Sequence, residues 1–567
     1  MFKANDQPEL FTFQNQLLDN EQQRILEKTP EKAFYNIVFC NINEDDYKVL
    51  FSDKGSRPNA AVNVLVSALI LKERKCWSYD ELMASMMFDL RTKVALGLSS
   101  IDQKPFSRAT LFNFQNRLSA HELESGVNLL EKTFDNLTAG QLEKLKIKTN
   151  IQRSDSTLIS SNTRKYGRVQ LLIEVLLRMS RLFDGADKDA LAEQVRPYGE
   201  PGSQKYVYQL KPSDLDHELA RLGRLYHTVY QRVKTRYPHT EEFRVFERAY
   251  NEHFTVVEGE AVAKGKKELD SGMLQSPDDQ DATYREKGDQ KSKGYTINAT
   301  ETANPENSIQ LLTDIAVNKN NVDDSRIIEA RVDKIVEKTP DLDELHTDGG
   351  YGSEAVDKKM EEHGIALVTT AVRGRESKVE KTITRSAENE REYTVECPRQ
   401  EVKSAPTAKK NRAVFDTGTC AVCPLSNECA IFKNNGRYYF TEEDHLRNRR
   451  NGNINKIPEE RRKIRPNVEA TIKEFKNKTQ AGKLKVRGQF KASLFAFAMG
   501  ISINFGRIYR LIVSKGEKYG DFLASFRAFV LQILTLMEPA QISALKIKKQ
   551  TNFQISYLSV LYRGLKM

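Results

Sequence analysis

The stretch Leu145-Lys-Ile147-Lys-Thr149-Asn-Ile151-Gln-Arg-Ser154-Asp155-Ser156 alternates apolar and polar residues before it reaches an aspartate. That period of two predicts a half-buried strand, and the strand delivers Asp155 where it is expected to run into a loop. Downstream, Tyr295–Thr302 and Ser308–Asn318 read as two more strands around the turn Asn304-Pro305-Glu306-Asn307. An amphipathic helix follows at Asp323–Lys338, then a short strand Leu342–Thr347 ending in Asp348-Gly349-Gly350-Tyr351. A helix at Ser353–His363 and a fifth strand at Ile365–Ala371 complete the set. The order βββαβαβ predicts an α/β core built on a mixed five-stranded sheet.

Around this core the character of the chain changes in blocks. Residues 1–144 read as a helical module: Ala60–Lys72, Ser78–Leu90 and Ser107–Leu118 carry apolar residues at three- and four-residue spacing, and Ser78-Tyr79-Asp80-Glu81 has the form of an N-cap. The helix Ser107–Leu118 offers Arg108 and Arg117 beside Asn113, Gln115 and Asn116, side chains able to bond bases and phosphates; an ordinary polar helix face has the same composition. Residues 145–168 hold the first core strand, 169–280 a long helical insertion, and 281–372 the rest of the sheet. A polar, cysteine-bearing insertion occupies 373–450, a helix and basic stretch 451–515, and apolar helical segments such as Phe522–Met537 and Phe553–Leu565 fill 516–567.

Composition narrows the function classes. A chain of 567 residues exceeds the size at which one core keeps growing, and 27 Phe with 21 Tyr supply apolar matter for several cores. The start lacks an apolar signal segment, and the apolar stretches around Ala60–Leu71 and Leu494–Phe505 read as too short and interrupted to span a bilayer, so no membrane association is expected. Six cysteines are too few for a disulfide scaffold, which fits a reducing, cytoplasmic setting. The net charge is +10, and between Arg447 and Arg510 there are 17 basic against 4 acidic residues. An excess of one sign over such a length points to a polyanion, and nucleic acid is the default.

Three sets of residues carry the chemistry. Asp155 and Asp348 each stand at an expected strand end and are followed by a small residue, which suits a hard divalent cation such as Mg²⁺; a lone aspartate there also serves as an ordinary turn residue. In Arg461–Lys476, read as one helix, Arg465, Glu469 and Lys476 fall on a single stripe, with Pro466 best suited to a first turn. A salt-bridged surface helix gives the same pattern. Cys397, Cys420, Cys423 and Cys429 gather four thiols within 33 residues, including a Cys-x2-Cys pair, and soft sulfur ligands suit structural Zn²⁺. Such a metal would let the segment fold without a large core. His346 is read as packed or hydrogen-bonded rather than a ligand, and Lys287-Gly288 with Lys291–Gly294 as a flexible basic turn that lacks the pattern of a phosphate-binding loop.

In this arrangement the chain resembles the DDE transposases of bacterial insertion sequences, whose catalytic core is ribonuclease-H-like. The helix resembles their Tyr-x2-Arg-x3-Glu-x6-Lys motif: Arg465, Glu469 and Lys476 match, while Arg462 stands at the Tyr position. Arg487-Gly488, Asn504 and Arg507 extend the likeness. The resemblance implies that Asp155, Asp348 and Glu469 hold two Mg²⁺ or Mn²⁺ ions about 3.5–4 Å apart, with Arg465, Lys476, Arg462 and Arg487 on DNA. It further implies cutting of double-stranded element ends, joining to target DNA, a homodimer on DNA and a nucleoid-associated location. A non-transposing ribonuclease-H-like nuclease, a zinc-containing DNA-binding regulator and an inactive copy are the competing readings.

Overall fold

The computed structural model describes residues 2–5, 12–52, 58–288, 290–370, 379–386, 389, 392–462, 464 and 467–515. The helices expected within 516–567, and Arg465, lie outside the described residues. The chain forms two compact units.

The first unit takes residues 1–148, 305–312 and 497–567. Its described elements are helical. The helix Val62–Lys75 is buried from Val62 through Lys72, so its pattern reads as apolar nearly all round. Ser78 caps the helix Tyr79–Phe88 in a capping box with Glu81, as the sequence indicates. Arg108–Ser125 is two turns longer than the predicted Ser107–Leu118, and it ends where Gly126 adopts a left-handed conformation (φ 72°). Leu145, expected in the first strand, ends the helix Leu129–Leu145, which Lys146 closes in the left-handed region.

The second unit, residues 149–304 and 313–496, carries a mixed sheet of six strands, one more than expected. The central strand Ile151–Ser160 lies between the antiparallel Gln290–Thr302 and the parallel Glu344–Thr347, and Ala366–Thr369 follows in parallel at the edge. On its other side the long Gln290–Thr302 pairs with both Thr283–Lys287 and Leu312–Lys319. The added strand is Thr283–Lys287. The basic turn expected after it is present at Gly288, whose φ of 58° turns the chain back so that Lys287 pairs with Gln290, but Lys291–Gly294 belongs to the following strand.

Helices cover the sheet for reasons of burial. Asp324–Lys338 and Glu354–Glu362 enclose a core with Leu345 and Leu367 of the parallel strands. Asp314, fully buried, is held by Arg331 and Lys338 of the first of these helices, so the buried charge is paired. The insertion between the first two core strands has five helices of eight residues or more, from Arg168–Ser180 to Glu241–His253, around stacked Tyr226 and Phe246. It is not wholly helical, because Phe254–Val257 and Glu260–Ala263 form a hairpin at Glu258-Gly259, where both residues take positive φ.

Two further expectations change. The cysteine-bearing segment has a core of its own: a five-stranded antiparallel sheet runs from Thr382–Arg385 to Arg437–Phe440 and buries Val395, Phe415, Ile431 and Phe440. The apolar stretch Leu494–Phe505 belongs to a 26-residue helix, Gln489–Ser514, long and apolar enough by itself to cross a membrane. Most of that apolar window is buried in the protein, as in a core helix.

Candidate active site

Asp155 does not end its strand. The antiparallel ladder continues past it, pairing Asp155 with Ala299 and running on to Ser160 with Gly294. The aspartate becomes accessible because the ladder on the other side stops early: Ile151, Gln152 and Arg153 pair with Glu344, Leu345 and His346, and no pair follows. Continuing that register by two residues sets Asp155 beside Asp348. The strand Glu344–Thr347 ends at that point, and Asp348 caps the turn Gly349–Tyr351 by accepting from the Gly350 N–H at 2.6 Å. Both carboxylates are half-buried.

Tyr351 ties the two strand positions together. Its hydroxyl hydrogen-bonds Ser156 Oγ at 2.8 Å and receives the Asn298 amide at 2.7 Å. Its ring is fully buried, and burial pushes the phenol well above its usual range, with Asp324, Asp155 and Asp348 adding to that rise. The hydroxyl therefore stays protonated and serves as a fixed link between the residues that follow each aspartate.

Glu469 comes from a third element. The sequence predicts one helix over Arg461–Lys476, but the structure breaks it into Glu459–Arg462 and Val468–Lys476. Pro466 has no N–H to contribute to a continuous helix. Glu469 is thus in a first turn and Lys476 in the last, both exposed along one edge of the buried stripe Val468, Ile472 and Phe475. Thr471, on the opposite edge of that stripe, donates to Glu301 Oε2 at 2.7 Å. Glu301 is paired with Arg153, whose Nη1 donates to the Ile464 carbonyl at 2.8 Å. The helix is therefore fastened to the face of the central strand that carries Arg153 and, two residues on, Asp155.

The structure brings Asp155 and Asp348 to neighbouring positions and packs the Glu469 helix against the central strand. Among the described residues, no three His, Cys, Asp or Glu side chains form a group able to hold a metal ion. His346 is 1% exposed, hydrogen-bonds Glu344 at 3.2 Å, and is driven below its usual range by burial, as a packed histidine should be. Sequence reasoning missed the Arg153–Glu301–Thr471 chain, because no local pattern links three residues so far apart.

Of the expected DNA contacts, Arg487 donates through Nε to the Asn162 carbonyl at 2.7 Å and lies 3.4 Å from Asp278. In the first unit, Arg108 pairs with Asp80 at 2.7 Å and Arg117 lies over the Phe51 ring. The side chain of Arg462 lies outside the described residues.

The four clustered cysteines line one cavity of about 20 Å³, with Cys420 and Cys429 buried. Cys397 ends the strand Tyr393–Cys397, directly across a tight turn from Gln400, whose amide donates to Cys420 Sγ at 3.3 Å. Burial pushes the Cys420 thiol up, and the neighbouring Cys397, Cys429 and Cys423 push the same way.

Residues 394–509 match the family model of a transposase DDE domain. The matched span contains Glu469, Lys476 and all four clustered cysteines, and excludes Asp155 and Asp348. Nothing among curated proteins or solved structures matches the chain. The family match supports a transposase function and the DNA substrate that goes with it. The mixed sheet with its covering helices is compatible with the ribonuclease-H-like core of such enzymes.

Proposed function

We propose that the chain is a DDE transposase that cuts insertion-sequence ends and joins them to target DNA, with Asp155, Asp348 and Glu469 as its metal-binding carboxylates. The observation that supports this reading is the parallel register, paired as far as Arg153 with His346, which when continued by two residues points Asp155 toward Asp348, next to a helix fastened through Thr471 and Glu301. The donor set is oxygen only and half open to solvent, which suits a small hard cation that keeps part of its water shell. Two Mg²⁺ or Mn²⁺ ions bound there would supply an activated attacking oxygen and neutralise charge on the leaving oxygen. The chain's own part is to hold the phosphodiester in line: Lys476, on the same helix edge as Glu469, reaches for a phosphate. Arg462, Arg465 and Arg487 supply further positive charge, and Arg108 and Arg117 of the helical N-terminal unit add contacts to duplex DNA. A homodimer pairing two element ends is part of this reading.

The test uses duplex DNA cloned from the two borders of the coding sequence, where the reading expects short inverted repeats. Asp155→Asn, Asp348→Asn and Glu469→Gln should each abolish Mg²⁺-dependent cleavage while leaving DNA binding intact. Cleavage retained by any one of them removes that residue from the site.

The cysteine cavity is proposed to hold a structural Zn²⁺. Four thiols are a soft donor set, and a cavity of about 20 Å³ suits one ion, since a single water needs only about 10–15 Å³. Elemental analysis should find about one zinc per chain, and Cys420→Ser with Cys423→Ser should remove it.

A second reading is a zinc-containing DNA-binding regulator whose carboxylates are structural. It is favoured by the ordinary structural role of Asp348, which caps the turn Gly349–Tyr351 by accepting from the Gly350 N–H. It predicts tight DNA binding with no metal-dependent cleavage.

A further inference from the structure

The helical insertion of the second unit has a feature that the transposase reading leaves unused. Its helices Arg168–Ser180 and Gly202–Gln209 form a groove of about 910 Å³ together with Arg164, Asp278 and Arg487. Five cations line it: Arg164, Arg178, Arg181, Lys205 and Arg487. Of its two carboxylates, Glu174 pairs with Arg178 at 3.4 Å, and Asp278 with Arg178 at 2.9 Å and Arg487 at 3.4 Å. Arg164, Arg181 and Lys205 are exposed and, among the described residues, form no ion pair. A groove with this surplus of uncommitted positive charge is built for an anion with more than one charge.

Three observations narrow that anion. The volume is that of a small-ligand cleft, so a duplex does not fit inside it, whereas a few unpaired nucleotides do. Tyr208 lines the groove and is 90% exposed, an aromatic face beside Lys205 on which no ring is stacked among the described residues. Basic groove plus open aromatic is the combination that holds single strands through phosphates and base stacking. The groove also adjoins the central strand. Gly482 and Leu484 hydrogen-bond Ser160, Val486 accepts from the Asn162 N–H, and Arg487 donates to the Asn162 carbonyl. Five strand residues separate Asp155 from Ser160, about 17 Å, so one wall of the groove continues from the strand that carries Asp155.

We propose that this groove binds an unpaired DNA strand leaving the Asp155–Asp348 site. The inference rests on the transposase reading for the identity of the nucleic acid and assigns a role to the helical insertion. Arg164, Arg181 and Lys205 hold successive phosphates, and Tyr208 stacks on a base.

The experiment measures binding of a fluorescent oligothymidylate to the full-length protein by anisotropy, over a salt series and without added divalent metal. A blunt duplex and inorganic polyphosphate serve as the other probes. Replacing Arg164, Arg181 and Lys205 together by Ala should weaken oligothymidylate binding and make the log–log salt slope shallower by roughly two. Tyr208→Ala should weaken oligothymidylate binding about tenfold and leave polyphosphate binding unchanged. Both variants alter exposed side chains, and unchanged thermal unfolding confirms that they fold. Unaltered oligothymidylate affinity and salt slope in the triple variant overturn the proposal. Equal loss of oligothymidylate and polyphosphate binding in Tyr208→Ala overturns the stacking role. Failure of the wild type to cleave DNA in Mg²⁺, with this binding pattern intact, counts against the catalytic reading alone and still supports the groove.

Discussion

Arg153 and Glu301 face each other across the antiparallel ladder as an ion pair, with side chains only 9% and 0% exposed, and join the central strand to the Glu469 helix. Removing one partner of a buried pair leaves the other charge uncompensated, which costs about 3–5 kcal/mol. Glu301→Ala should therefore lower the unfolding free energy by about that amount in a denaturant titration, and should also reduce cleavage by freeing the Thr471 hydroxyl. Replacing both Arg153 and Glu301 with Met should cost less stability than Glu301→Ala alone.

Tyr351 offers a subtler perturbation. Tyr351→Phe keeps the buried ring and deletes the hydroxyl that bridges Ser156 and the Asn298 amide. The Asn298 amide keeps its bond to Ser156 Oγ at 3.0 Å, so the loss is of hydrogen bonds rather than of all partners, at a cost of about 0.5–1.5 kcal/mol. We expect thermal unfolding to move down accordingly, and cleavage to fall with metal affinity, since Asp155 and Asp348 each sit beside a residue of this link. Unchanged stability and unchanged metal dependence would show that the bridge does not position the carboxylates.

Acid should loosen the helical insertion through His253. The ring is 5% exposed, neither nitrogen has a hydrogen-bond partner, and burial first, then Arg168 and Lys264, push its pKa down to about 4. A folded-state pKa below the unfolded value means that the unfolded chain binds the extra proton. Stability is thus intact above about pH 6.5 and is lost as pH falls toward about 4, by about 3 kcal/mol in all. Asp357, pushed up to about 6 by burial, works in the opposite direction over part of this window. The difference between wild type and His253→Phe isolates the histidine: little change at neutral pH, and a more stable variant near pH 4.5 by chemical denaturation.

Metal removal should act on the cysteine-bearing segment without erasing it. Its sheet has its own buried core, so a chelator should release zinc and expose four reactive thiols while the segment keeps most of its strand content. The measurement is thiol titration alongside far-ultraviolet circular dichroism. Four thiols equally reactive before and after chelation would count against the metal.

Local patterns in the chain carried a good part of this. The capping box at Ser78 and Glu81, the helix Asp324–Lys338 and the short strand before Asp348 follow from side-chain period and cap chemistry, which act over a few residues. Boundaries set by turns were harder. Lys287-Gly288 looks like a loose basic turn, yet it joins two paired strands, because pairing depends on the opposite strand being available. The continuous helix expected over Arg461–Lys476 is interrupted at Ile464, between Glu459–Arg462 and Val468–Lys476, because side-chain periodicity alone does not fix where a helix begins. The sheet inside the cysteine-bearing segment was hidden for a related reason: its strands have exposed faces, and among the described residues the three central strands bury only Tyr393, Val395 and Ala413 as apolar side chains.

By itself the sequence offered the candidates for chemistry: a basic stretch and four thiols from type and spacing, and three acids that a family resemblance joined into one set. Only the tertiary structure decided that Asp155 sits within a strand and opens on one side. That accessibility arises because the parallel partner ends at Thr347 while the antiparallel one continues. The tertiary structure also decided that a helix more than three hundred residues away is fastened to the same strand through Glu301. Neighbour relations between distant strands are set by register and burial, and neither is written in any short stretch of the chain.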